Sequence, residues 1–133
     1  MFLVNLSDSQ KDAFMILAYK LIAVDGVLDE GELAMMAQYK QEMSLPPDYD
    51  ETQGNLETAI AVFTSESDAL KKQIMFELVG LACAGNDYES EEYSLIEQVR
   101  TAFNLRADFP GKCEVYVSEL TKLYEKIGTL VGK

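Results

Sequence analysis

Shifted by about sixty residues, the sequence overlies itself. Phe14, Leu17, Ala18 and Ala23 fall on Met75, Leu78, Val79 and Ala84; after a single-residue slip, Glu32, Leu33, Met36, Met43 and Leu45 fall on Glu92, Tyr93, Ile96, Phe103 and Leu105. The apolar residues recur at helical spacing in both copies, so the repeated unit is a helical hairpin. A hairpin with one apolar face cannot bury that face alone. Two copies packed against each other solve the problem as a compact bundle, in which the two short inter-helix loops lie near each other.

The punctuation between apolar stripes predicts about six helices and no strand. A Ser7–Gln10 capping box opens the first, which carries Phe14, Leu17, Ala18, Leu21 and Ile22 and ends near Asp25-Gly26. Asp29, three residues before Glu32, opens a second whose stripe runs Leu33, Met36, Ala37 and Met43 until Pro46-Pro47 stops it. A shorter third helix holds Leu56, Ala59, Ile60 and Phe63, and breaks near Thr64-Ser65. Ser65 with Asp68 reads as the box that opens the fourth, which is apolar from Leu70 to Ala82 and is expected to be the most buried. The fifth follows Gly85-Asn86-Asp87 and carries Tyr93, Ile96, Val99, Ala102 and Phe103. The sixth starts just after Pro110, carries Val115, Val117, Leu120, Leu123, Tyr124, Ile127 and Leu130, and frays at Gly128 and Gly132.

At 133 residues, 48% of them hydrophobic, the chain has the size and composition of a single globular all-α domain spanning 1–133. Aspartate and glutamate number 23 against 11 lysines and arginines, a formal charge of −12, and the densest basic spot is the Lys71-Lys72 pair. Such a surface repels phosphate backbones and anionic lipid, which argues against nucleic acid as a partner and leaves cations or a protein with a basic surface. No membrane-spanning stretch and no signal peptide is apparent, and Cys83 and Cys113, far apart and outside any CxxC pattern, read as reduced thiols; a cytoplasmic location is the expectation.

Catalytic chemistry finds little footing. There is no histidine to activate a serine or cysteine. Gly26 and Gly31 form neither a P-loop nor a dinucleotide fingerprint. Zinc lacks ligands of the right kind. An EF-hand beginning at Asp25 fails too, because Val27, Glu30 and Met36 occupy its third, sixth and twelfth positions. The expectation is a non-enzyme. The methionines Met15, Met35, Met36, Met43 and Met75 are read as core filling, and Tyr88, set among acidic residues, as an exposed anchor for a partner.

Ala23-Val24-Asp25-Gly26, an acidic turn and then Glu32 opening an apolar helix resemble the tellurite-resistance TerB-like domains, and the degenerate second copy stands at the right separation. The resemblance covers most of the chain. It implies an all-helical fold with internal duplication, a stress-associated module without enzyme activity, and acidic residues that bind divalent cations. The second copy departs from the pattern, with Gly85-Asn86-Asp87 where Asp-Gly is expected.

Two acidic loops, 25–32 and 86–92, carry no basic residue and admit three accounts. Their carboxylates complement the helix N-termini they precede, at about 0.3 to 1 kcal/mol each. They supply oxygen ligands to calcium or magnesium, which needs the two loops pooled. Or they present an acidic face to a protein partner without any metal. The residues expected to form this acidic surface are Asp25, Asp29 and Glu32 with Asp87 and Glu92, Asp25 being the best single candidate; no other cofactor is implied.

Overall fold

The computed structural model describes residues 1–24, 26, 28–85 and 90–132. Among them stand six helices and no strand: α1 (Asp8–Ala23), α2 (Glu30–Glu42), α3 (Leu56–Thr64), α4 (Asp68–Ala84), α5 (Ser90–Ala102) and α6 (Phe109–Leu130).

The local signals account for most of the boundaries. Ser7 and Gln10 form the reciprocal box: the Gln10 N–H donates to Ser7 Oγ (3.2 Å) and the Ser7 N–H to Gln10 Oε1 (2.9 Å). Asp29 caps α2 by accepting from the Gly31 N–H at 2.7 Å. The cap of α4 is Ser67, which accepts from the Leu70 N–H at 3.1 Å, and not Ser65. Ser65 still belongs to the closing turn of α3, where the Glu66 N–H returns to the Phe63 carbonyl at 3.0 Å. Pro110 sits in the first turn of α6, which runs through Gly128 and closes at Val131 and Gly132.

One core cluster draws on every helix, with Phe14, Phe63, Phe103, Met15, Met43 and Met75 fully enclosed. Leu3 and Leu6 join it, so the apolar opening segment is part of the core. The Leu3 N–H and the Met1 ammonium are held by Glu42 at 2.9 and 2.7 Å. Met36 is buried with them and Met35 half-buried, so the methionines do fill the core.

The duplication extends to backbone detail. Among the described residues, Ser44 and Asn104, sixty positions apart, are the non-glycine residues with positive φ, at 59° and 56°. Each follows the second helix of its hairpin, and each is bracketed by the same closing bonds: Leu45 N–H to the Lys40 carbonyl (2.8 Å) and Leu105 N–H to the Arg100 carbonyl (3.1 Å). The third helices correspond as well, for α3 packs on α1 as α6 packs on α4. Leu56, Ile60 and Phe63 of α3 join the core, as does Cys113 of α6, while Val117 comes within 4.0 Å of the Cβ position of Gly80. Two hairpins, each with a following helix, meet through α1 against α4, with α2 against α4 and α5 against α1.

In two places the buried face differs from the expected one. On α2, Leu33 and Ala37 are exposed, and the inward stripe is Glu32, Met36, Tyr39 and Met43. On α5, Tyr93 is exposed and the stripe is Glu92, Leu95, Ile96 and Val99. The reason is shared: each helix enters the core with a glutamate on its inward row, so the apolar residue after it is turned to solvent. On α6, Val115, Leu123, Tyr124, Ile127 and Leu130 are exposed although the helix is amphipathic.

A buried carboxyl pair between the two hairpins

The structure brings together two of the five expected site residues. Glu32 and Glu92, equivalent in the repeat, are 4% and 2% exposed, so they belong to the interior and not to an acidic surface. Their carboxyls lie close enough to act on each other directly. Loss of water pushes the Glu32 carboxyl up to about 7, with the charge and hydrogen bond of Glu92 pushing the same way and the Asp29 backbone pulling it down. Two like acids in one dry site cannot both ionise cheaply, so near neutral pH the pair shares a proton.

The surroundings are built around this contact. Each glutamate stands in the first turn of its helix, where the N-terminal dipole favours negative charge and partly offsets the desolvation. Gly85 lies against Glu32: a Cβ there would come within 3.2 Å of its Cδ. Gly31 is packed closer still, since a Cβ would stand 2.4 Å from the Ala84 carbonyl oxygen. The start of α2 is therefore wedged against the end of α4. Neither glycine is in a left-handed conformation; both are small because chain and carboxyl pass through the space a side chain would fill.

Asp29, the third expected residue, spends one carboxyl oxygen on its cap, and its charge reaches Glu32. Asp25 and Asp87 lie outside the described residues, as does Tyr88. Among the described residues no group of three or more acidic or cysteine side chains is placed to hold a metal ion. Cys83 and Cys113 are free thiols pushed up to about 11, first by burial, which leaves them protonated and unreactive near neutral pH. No described helix is long and apolar enough to cross a membrane.

Fold and site together define a class: an all-α bundle made from a duplicated hairpin, with the repeat's own glutamates face to face at its centre. The chain is similar in structure to the crystal structure of a tellurite resistance protein from Nostoc punctiforme, with a TM-score of 0.66 over 96% of this chain and 84% of that one, at 14% sequence identity. The fold is thus TerB-like, as the Asp25-Gly26 pattern implied. No family model and no curated protein matches the sequence significantly.

Proposed function

We propose that this chain is a non-catalytic TerB-like module that binds a hard divalent cation, calcium or magnesium, between its two hairpins. The observation that carries this reading is the Glu32–Glu92 pair. Two adjacent carboxyls in a dry site hold either a proton or a cation, and both loops of the sequence offer further oxygen donors. Glu32 and Glu92 would supply the inner ligands; Asp25 and Asp87, in the loops that precede them, are the residues proposed to complete the set, with Asp29 supporting the first loop. A hard cation suits donors that are all oxygen. Cation and proton compete for the pair, so affinity rises as pH passes upward through about 7. By analogy with the structurally similar protein, the module serves tellurite resistance or a related stress response.

The test is thermal unfolding in EDTA, magnesium or calcium, on the wild type, Asp25→Asn and Glu92→Gln. An ion at about a hundred times its dissociation constant stabilises by about 2.7 kcal/mol if it binds only the folded state. A calcium- or magnesium-dependent rise that both variants lose supports the site. No shift with either ion at millimolar concentration refutes it and leaves the second reading, which the formal charge of −12 favours: an acidic scaffold for a basic protein.

A further inference from the structure

The sixth helix has more apolar surface than the bundle uses. Its counterpart α3 covers α1 with nine residues, whereas α6 runs for 22. Cys113, Val117, Leu120, Tyr124, Ile127 and Val131 follow one another at alternating steps of four and three, the seam of a coiled coil. Cys113 is buried in the core, Val117 comes within 4.0 Å of the Cβ position of Gly80 on α4, and Leu120 lines a cleft beside the same helix. Tyr124 still lines a cleft with Glu42, Phe76 and Glu77, but most of it faces outward, and the exposure continues to the end of the seam: Tyr124 is 64% exposed and Val131 67%. A second row at heptad spacing, Tyr116, Leu123 and Leu130, flanks it and is exposed throughout, Leu130 at 84%.

Seam and row together occupy an arc of about 140° of the helix. Glu114, Glu119, Lys122, Glu125 and Lys126 all fall on the remaining arc. From Cys113 onward the apolar strip thus carries no charge, Lys112 standing at its edge just before it begins, and α6 itself, with three lysines and three glutamates, is neutral in a chain of formal charge −12. From these features we infer that α6 pairs with α6 of a second copy through this strip, giving a symmetric dimer. The bodies carry nearly all the negative charge and repel each other, so a neutral, uncharged-faced helix is the part of the surface through which two copies meet most cheaply. An apolar strip presented to its own image is self-complementary, as a twofold interface requires.

The area supports a modest dimer. A buried aliphatic side chain removes about 60–120 Å² and an aromatic one about 150–250 Å² from water. Scaled by their exposure, Tyr116, Leu123, Tyr124, Ile127, Leu130 and Val131 offer about 500 Å² per copy, or about 1,000 Å² across the pair, the low end for a specific interface. An interface of this size is expected to be weak, so association is sought at high concentration.

Sedimentation velocity on the full chain from about 1 to about 500 µM tests this, in low and in high salt. The expected result is a monomer–dimer equilibrium that tightens with salt, because screening relieves the repulsion between acidic bodies. Leu123→Glu with Leu130→Glu, both at exposed positions, weakens it at least tenfold with unchanged helicity; Leu130→Lys gives the same loss should the double variant misfold. A wild type that stays monomeric at the top concentration in high salt overturns the inference, and so does a dimer that the folded variants leave intact.

Discussion

Replacing Glu32 by glutamine tests the account of the carboxyl pair directly. The substitution keeps size and hydrogen-bonding capacity and removes one titrating acid. In the wild type the Glu32 carboxyl moves from 4.5 to about 7 on folding, so between those values the folded chain holds a proton that the unfolded chain has released. The stabilising contribution of this proton is complete below about 4.5 and is lost as pH rises through about 7. At about 1.4 kcal/mol per pH unit, the gap sets an upper bound of about 3 kcal/mol on the cost of ionising the pair. Relaxation of the site around the charge offsets part of it, and about 1–2 kcal/mol is the expected size. Glu32→Gln in EDTA is therefore more stable than the wild type by about that amount at pH 8, or about 4–8 °C in Tm for a chain this long, with the difference vanishing near pH 4.5. Urea unfolding at several pH values in EDTA measures it. Equal pH slopes for both proteins, or a variant less stable at pH 8, refutes the claim that the pair is under electrostatic tension.

Two backbone predictions follow from the packing around the pair and from the repeat. Gly31→Ala improves helix propensity yet places a methyl 2.4 Å from the Ala84 carbonyl oxygen, so it destabilises by about 2–4 kcal/mol, read as a fall in the denaturant midpoint; a gain in stability would mean that α2 is not wedged against α4. Ser44→Gly relieves a serine held at φ 59° and stabilises by about 0.5–1 kcal/mol in thermal melts, whereas Asn104→Gly at φ 56° gains less, because asparagine tolerates this conformation better.

The helices and their duplication were legible because both rest on local rules: apolar spacing, capping side chains, and prolines that stop a helix. The burial of the glutamates was also written there. Glu32, Met36 and Met43, like Glu92, Ile96 and Phe103, stand at steps that place them on one row. Reading an acid as a surface residue hides that row and promotes Leu33 and Tyr93 in its place, and this is the error the structure corrects. The glycine contacts were beyond sequence reasoning, since what Gly31 and Gly85 avoid comes from the other hairpin or from a neighbouring side chain. Ser65 misled for a smaller reason: it and Ser67 both suit an N-cap, and only the closing turn of α3 separates them.

Had the two hairpins been separate chains related by symmetry, the facing glutamates would be one genetic position seen twice. Any change would strike both acids at once, and the pair could hold only matched side chains. Covalent fusion removes that constraint. Residues 32 and 92 are separately mutable, so a single substitution can leave one acid beside one amide, an asymmetric state that a twofold assembly of identical halves cannot reach. The loops beside them have already diverged, Asp25-Gly26 in one and Asn86-Asp87 in the other, while the two glutamates agree.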